Sequence, residues 1–463
     1  MKHPHSTPLA LAALVAASTL TLSACAHRAD SLYDTRPFLR YGERPDFTLP
    51  ADPEDPGSTE ILEGLDAMLP VLLERSPSVA AARERYRAMV ESVPMATELP
   101  ELMFEYSWLP MPHETRLGLM QAVPFPTKLV ARDSAARAEA RAAAIAYDAA
   151  VRDQIVSLSV AYADLYYAER ALTIISENKS IAEAISQLGA TRSAEGEGVL
   201  FDVTRARAQL AQLEYDKITI SERRDVARAK VNAALSRPVD APLAVEALPF
   251  TPVTIDEQEL YDLALLHQQE LAMLDESISA AESHVDLADS GWLPNLTFGA
   301  QLMIQAPPAP AQSNESVMVT FGLGIPVSLH ATAAAQASAE ARLSAAVLDK
   351  QAALDALPAH VREALFQERN AARLEVLYDE ELLPRAKAAM QTAEQQAQAD
   401  SMAYGDLLEA RAAYYSFALA RERALADHFQ SVLRLESLIG ATLTDSLPAP
   451  SDAPLETPTQ DTL

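Results

Sequence analysis

In the segment Asn295-Leu-Thr-Phe-Gly-Ala-Gln-Leu-Met-Ile-Gln305, an apolar side chain fills every second position from Leu296 to Ile304. Mostly small or polar residues fill the positions between them. Successive side chains of a β-strand point to opposite faces, so this alternation predicts a strand with one apolar face. A run of about ten such residues is the length that a transmembrane barrel strand needs.

Three further stretches repeat this alternation. Val317–Leu323 carries it in the same region, and residues 99–125 carry it twice. The sequence therefore predicts two β-hairpins, at residues 99–125 and 293–328. Four strands cannot close a barrel alone, because even the smallest barrels have about eight, so oligomerisation is implied and three copies would supply twelve strands.

Long helices are predicted around the hairpins. Apolar residues step by three and four from Val151 through Ile155, Leu158, Tyr162 and Leu165, which is typical of helices packed in a coiled-coil manner. Glycine is scarce, at 13 residues, which also favours helix. The predicted fold class is mainly α with a small transmembrane β part: a long-helix coiled-coil tunnel plus four strands per chain, assembling as a trimeric α/β barrel.

An internal repeat organises the chain. Pro100 corresponds to Pro294, Val123-Pro124 to Ile325-Pro326, and Asp202 to Asp406, in the same order and about two hundred residues apart. We expect five segments: a signal peptide at 1–24, an extended lipid-anchored lead at 25–59, two repeats at 60–240 and 241–440, and a disordered acidic, Pro-rich tail at 441–463. Each repeat would hold one continuous helix, at about 60–93 and 256–289, followed by a hairpin, a long helix and a returning helix.

The amino-terminal segment predicts export and lipidation. A basic start at Lys2 precedes an apolar stretch, Leu9–Leu22, which is the length of a signal-peptide core. Leu22-Ser23-Ala24-Cys25 resembles a bacterial lipobox, in which the cysteine is lipidated after cleavage. By resemblance to other lipoproteins, Ala26 in place of aspartate favours sorting to the outer membrane. The expected localisation is the outer membrane, lipid-anchored, with a large periplasmic part.

Charge and missing motifs exclude several function classes. The formal net charge is −28, and such a surface repels nucleic acid. The sequence has no Walker glycine loop, no G-x-S-x-G and no H-x-x-x-H pair, so we expect neither an enzyme nor a cofactor. We also expect no resident metal site, since the 12 methionines are irregularly spaced and are interpreted as apolar filling.

Several stretches together resemble the TolC family of outer-membrane efflux proteins. These are the strand-to-helix joint Gln121–Lys128, the turn Gly196–Val203, Leu382-Leu383-Pro384-Arg385-Ala386, and the turn Tyr404–Ala410. The resemblance covers roughly residues 60–440, although the family often has glutamine where this chain has Arg411. The joint with Pro126 and Lys128, together with the turn Gly196-Glu197-Gly198, is most similar to the branch that serves heavy-metal pumps. Pro124, Lys128 and Pro326 are the residues expected at the two strand-to-helix joints.

The resemblance implies a homotrimeric outer-membrane lipoprotein, the passive exit duct of a tripartite efflux system. Its partners would be a periplasmic adaptor protein and an inner-membrane pump, of the RND type rather than the ABC type, and outer-membrane lipid would surround the barrel. Metal cations are one cargo class that this branch implies. Two alternatives stay open: a protein-secretion duct served by an ABC exporter, and a periplasmic coiled-coil lipoprotein without a pore.

The two periplasmic turns are the predicted gate and adaptor-docking surface. They hold small residues and carboxylates where the helices must turn and converge: Gly196, Gly198, Asp202, Asp400, Gly405 and Asp406. Three copies of such an aspartate would form an anionic ring that selects cations or is blocked by them. Helix capping explains Asp202 and Asp406 equally well.

Overall fold

The computed structural model describes residues 61–110, 114–194, 200–248, 256–305, 314–399 and 404–443. The predictions on the signal peptide, Cys25 and the lead therefore lie outside the described residues.

Helices dominate the described chain. We number them in chain order: α1 (Gly64–Arg75), α2 (Pro77–Ala96), α3 (Pro126–Ala194), α4 (Leu200–Ala234), α5 (Glu257–His267), α6 (Gln269–Asp289), α7 (Leu329–Val376), α8 (Leu383–Ala399) and α9 (Tyr404–Ile439). A short 3₁₀ turn, Ser290–Trp292, follows α6. Within the described ranges, no helix combines the length and the apolarity that a membrane-crossing helix requires.

Two helices that we predicted as continuous are each broken once. Between α1 and α2, Ser76 is extended, because the residue before a proline is disfavoured in the helical region and Pro77 follows. Between α5 and α6, Gln268 is extended with ψ 121°. Here Gly440, at φ +77°, approaches so closely that a Cβ on it would lie 2.2 Å from the His267 carbonyl oxygen. Only glycine fits at that position.

The second long helix contains a wider turn. A π-helical segment, Leu377–Leu382, separates α7 from α8. Pro384 lies just beyond it and has no N–H to donate to the carbonyl of Glu380, which its ring also crowds. The π turn relieves that crowding, so the proline of the Leu-Leu-Pro stretch sits in a modified helix rather than a plain one.

The strands form one antiparallel sheet and one small parallel pair. The sheet has the order β2–β3–β5–β6, with β2 at Met103–Leu109, β3 at Glu114–Val123, β5 at Asn295–Gln305 and β6 at Asn314–Gly324. The parallel pair joins β1 (Leu62–Glu63) to β4 (Leu243–Ala244). All four strands that the alternation predicts are therefore present, and β3 and β5 join the two hairpins into a single sheet.

The chain divides into two compact units. The strand unit contains the described parts of 83–147 and 269–355, and the helical unit contains the described parts of 38–82, 148–268 and 356–463. Each unit takes segments from both predicted repeats; the division into those repeats stays a prediction.

The core of the helical unit is formed by large side chains. Leu72, Leu158, Tyr162, Val231 and Leu235 belong to one buried cluster there. The Tyr162 hydroxyl donates to the Glu246 carbonyl oxygen at 3.1 Å and accepts from the Glu246 N–H at 2.8 Å, so this buried phenol is fully satisfied.

Candidate functional site

The sheet of the strand unit has one apolar and one polar face. Residues directly opposite each other in the ladder share a face, so the register assigns each side chain. One face carries only Thr115, Gln121 and Glu315 beside its apolar side chains. Its large apolar residues are Phe104, Tyr106, Trp108, Leu117, Leu119, Val123, Leu296, Phe298, Leu302, Ile304, Val317, Val319, Phe321 and Leu323.

The opposite face carries charges, amides, hydroxyls and all four glycines of the sheet. Gln301 Nε2 donates to Glu105 Oε2 at 3.0 Å, although β3 lies between their strands. The bridge passes over Gly118, where a Cβ would lie 2.6 Å from Gln301 Cγ. Glycine at that position is what allows the two polar side chains to meet. On the same face Arg116 pairs with Glu114 two residues before it.

The first strand-to-helix joint is tied by Lys128. Its Nζ donates to the Leu293 carbonyl oxygen at 2.8 Å and to Asn295 Oδ1 at 3.1 Å, so α3 is attached to the start of β5. Burial, with Arg132 nearby, holds the pKa of the Lys128 amine below its usual range. Pro124 is buried, and the helix begins at Pro126, whose missing N–H is no loss in a first turn.

The second joint is built differently. Pro326 is half-buried, and Leu329 N–H donates to the Val327 carbonyl oxygen at 3.0 Å as α7 begins. With Pro124 aligned to Pro326, His330 corresponds to Lys128, and His330 is exposed. Pro124, Lys128 and Pro326 therefore all lie at strand-to-helix joints. Lys128 links the first joint to the start of β5 by hydrogen bonds.

The predicted gate is described only in part. Gly196, Gly198 and Asp400 lie outside the described residues, and Asp202 lies in the first turn of α4, where its backbone alone is described. Gly405 is half-buried and Asp406 is exposed in the first turn of α9. A carboxylate there is favoured by the helix dipole, which fits the capping interpretation without testing the gate.

Two arginines link neighbouring helices near these turns. Arg411 on α9 pairs with Glu394 on α8, and Arg411 is largely buried. Arg205 on α4 lies 3.3 Å from Glu409 on α9, and both are exposed. Arg411 occupies the position where the family often has glutamine, and here a charge pair joins the two helices of one hairpin.

A buried polar cluster in the helical unit is absent from our sequence predictions. His428 on α9 lies between two carboxylates of α7: its Nδ1 is 2.5 Å from Glu375 Oε2 and its Nε2 is 3.3 Å from Glu368 Oε1. Burial lowers the pKa of His428, but the hydrogen bonds to both carboxylates outweigh burial and raise it above its usual range. An imidazolium donates from both nitrogens, so the charged form satisfies both partners.

Sequence spacing has no signal for this cluster, because 53 and 60 residues separate its members. Within the part of the chain that the structure describes, no three His, Cys, Asp or Glu side chains converge as metal ligands. The cluster therefore joins α7 to α9, and we assign it no chemistry.

Comparison with known proteins gives a consistent result. Residues 260–441 match the family model of the outer membrane efflux protein. No curated protein sequence matches the chain.

Solved structures share the fold at low identity. The outer membrane protein VceC of Vibrio cholerae is 19% identical with a TM-score of 0.68, and the match covers 82% of this chain and 97% of that one. The open state of the MtrE outer membrane channel of Neisseria gonorrhoeae is 16% identical with a TM-score of 0.67, covering 82% and 89%. CusC is 14% identical with a TM-score of 0.69, covering 86% and 99%.

Proposed function

We propose that this chain, which belongs to the TolC family of outer-membrane efflux proteins, is the passive exit duct of a tripartite efflux system. The observation that carries the proposal is the sheet: four strands with one apolar face, of which β3, β5 and β6 have the 10 or 11 residues that suit a bilayer. The apolar face would contact lipid and the polar face would line the duct.

The open edges of the sheet favour a ring of several copies. β2 and β6 are the outer strands of the order β2–β3–β5–β6, so each leaves one row of backbone N–H and C=O groups unpaired within the chain. In hydrocarbon such groups cost several kcal/mol each, because no water is present to replace the missing partner. Pairing β6 of one copy with β2 of the next removes both edges. Three copies give the trimer that the family implies.

A charge placed on either face of one strand tests the membrane assignment. Val319 and Thr320 are neighbours at the centre of β6 but lie on opposite faces. An arginine on the lipid face of a barrel costs about 2–4 kcal/mol at the bilayer centre, whereas lumen positions tolerate it. We expect Val319→Arg to abolish insertion, measured as conductance in planar bilayers and as oligomer mass in mild detergent. Thr320→Arg is the matched control and should still insert.

Equal insertion of both variants would contradict the proposal, and so would a wild-type protein that is monomeric yet conducts. The same experiment separates the duct from a periplasmic spacer without a pore. A spacer has no use for a sheet with an apolar face, and its stability would respond to Val319→Arg and Thr320→Arg alike.

We further propose that the two periplasmic turns bind the adaptor and form the gate. The support is the position of Asp406 and Asp202 in the first turns of α9 and α4, beside the Arg205–Glu409 pair. The residues of this proposal are Gly196, Gly198, Asp202, Asp400, Gly405 and Asp406. An RND-type pump is the energy source that the family branch suggests.

Neutralising the three aspartates tests this gate. Asp202→Ala, Asp400→Ala and Asp406→Ala together should raise the concentration of divalent cation that blocks the channel, because an anionic ring concentrates cations. Asp240→Ala, at an exposed loop position, is the control. Unchanged block and conductance in the triple variant would leave helix capping as the role of these residues.

Cys25 is proposed as the lipid anchor, on its lipobox sequence. Mass spectrometry of the mature amino terminus should show a lipidated residue 25. An unmodified Cys25 would contradict the proposed lipid anchor and would not bear on the proposed duct.

A further inference from the structure

Every methionine of the sheet lies on its polar face. Met103, Met120, Met303 and Met318 come from four different strands, and their sequence spacing is irregular. The ladder nevertheless assigns all four to one side: Met103 is directly opposite Met120, Met120 is opposite Gly299, Met303 is opposite Arg116, and Met318 is opposite Gln301.

This segregation argues against methionine as ordinary apolar filling. Filling would place methionine on the face that has the most apolar positions, because an unbranched thioether packs wherever volume is needed. The apolar face holds fourteen large apolar side chains in the described strands, and methionine is not among them. The polar face holds five, of which four are methionine and the fifth is Leu109.

The surroundings leave the thioethers accessible. Met103 is 64% exposed and Met318 is 40% exposed. Met103 and Met120 are direct cross-strand neighbours, whose Cβ atoms lie about 4.5–5.5 Å apart in such ladders. Gly299 leaves space on the other side of Met120, where a Cβ would make only ordinary contact with Met120 Cγ at 3.8 Å.

The charges next to these side chains suit a cation. Glu105 lies two residues from Met103 on the same face of β2 and keeps its carboxylate there through Gln301. Arg116 lies opposite Met303, but Glu114 pairs with it and offsets its charge. Thioether sulfur is a soft ligand that selects Cu(I) over hard cations.

We propose that the four thioethers bind soft monovalent cations, Cu(I) or Ag(I), as these pass along the polar face of the sheet. The inference rests on the proposed function, because it takes this face to line the duct. Conduction requires several weak sites rather than one tight site, so that a cation moves on by exchange of ligands. Three copies of the sheet would set twelve thioethers around one lumen.

Silver binding to the purified full-length protein tests the proposal. Ag(I), added as silver nitrate in chloride-free buffer, is the probe, because it is soft and monovalent and needs no reductant. The quadruple variant Met103→Leu, Met120→Leu, Met303→Leu and Met318→Leu keeps side-chain volume and removes the sulfur. We expect at least a tenfold weaker retention of Ag(I) than in wild type, measured as bound silver after gel filtration.

Met95→Leu is the matched control, since Met95 is 69% exposed on α2 and outside the sheet. It should retain Ag(I) as wild type does, and Cys25 is common to every protein compared. Zn(II) binding should be the same in all of them, because thioethers do not prefer it. Equal Ag(I) retention by wild type and the quadruple variant would overturn the proposal, and so would a parallel loss of Zn(II).

A second measurement uses the wild-type chain alone and does not depend on how the variant folds. Peroxide converts methionine to its sulfoxide, and a sulfur bound to Ag(I) should be protected from this reaction. Peptide mass spectrometry should show Ag(I)-dependent protection of the four sheet methionines and none of Met95. Uniform oxidation with and without Ag(I) would contradict the assignment.

Failure of the duct itself has a different signature. Wild-type conductance without metal tests the duct, whereas silver retention and methionine protection are measured in detergent and need no open pore. A channel that conducts but does not retain silver would contradict the proposed binding of soft cations and leave the proposed duct unaffected.

Discussion

The strand unit and the helical unit bury their apolar residues in different ways. The twelve largest fully buried side chains of the described residues, among them Leu158, Leu260 and Leu435, all lie in the helical unit. In the strand unit most of the buried apolar side chains are alanines, such as Ala135 and Ala138, and the larger ones include Tyr86, Val90, Val93 and Tyr147.

Several large apolar side chains of the sheet in the strand unit are instead exposed. Trp108, Val319 and Phe321 are each at least 60% exposed in the single chain. The helical unit therefore contains a core of large side chains, whereas the strand unit leaves much of the apolar face of its sheet uncovered within the single chain. Burial of apolar surface stabilises both units, but in the strand unit less of the large apolar surface is buried within the single chain.

The largest expected effect is the loss of a buried charge partner in the helical unit. Glu368→Ala leaves the imidazolium of His428 without one of its two carboxylates, and such changes cost about 3–5 kcal/mol. Glu276→Ala in the strand unit, which removes a surface pair with Arg141, should cost about 1 kcal/mol or less. Denaturant unfolding of the purified protein measures both, and equal losses would contradict the difference between the units.

The next largest difference is expected between two leucine-to-alanine substitutions, one in each unit. Leu158 is fully buried, so Leu158→Ala should destabilise the protein by about 2–5 kcal/mol. Leu302→Ala removes the same atoms from a side chain on the apolar face that is 37% exposed, and in detergent it should cost less. Thermal melting followed by circular dichroism compares them. A larger loss of stability for Leu302→Ala than for Leu158→Ala would show that the apolar face of the sheet is covered within the single chain.

The first joint offers a smaller effect. Lys128→Met removes two hydrogen bonds from a charged donor, each of which is worth about 1.5–3 kcal/mol when well shielded and less at this half-exposed position. His330→Met, at the exposed second joint, is the control and should be nearly neutral. Hydrogen exchange at the β5 amides next to Asn295 should rise in the first variant only.

The smallest expected effect is on the pH dependence. Because the folded-state pKa of His428 is raised, its contribution is complete below the unfolded pKa of about 6.5 and is lost as pH rises through the folded-state pKa. His428→Gln should remove this fall in stability on the alkaline side. His284→Gln, at an exposed histidine beside Glu139 in the strand unit, is the control and should keep the wild-type profile.

Much of the local structure is readable from the sequence for simple reasons. The alternation at Asn295–Gln305 predicts a strand because a strand has a period of two, and the structure confirms it. The spacing of three and four residues at Val151–Leu165 predicts a helix because a helix has a period of about 3.6 residues, and α3 confirms that prediction. The break at Ser76 was also readable, since Pro77 follows, although we predicted a continuous helix there.

The element types, the two hairpins and the division of the sheet into an apolar and a polar face follow from the amino-acid sequence. They depend on periodicity within one segment, which local chemistry enforces. The break at Gln268, the histidine cluster and the position of the methionines depend on tertiary contacts. Gly440 meets His267, His428 meets Glu368, and Met103 meets Met120 only after segments far apart in sequence are aligned. Register and helix packing set those contacts, and no single segment encodes the register of its partner.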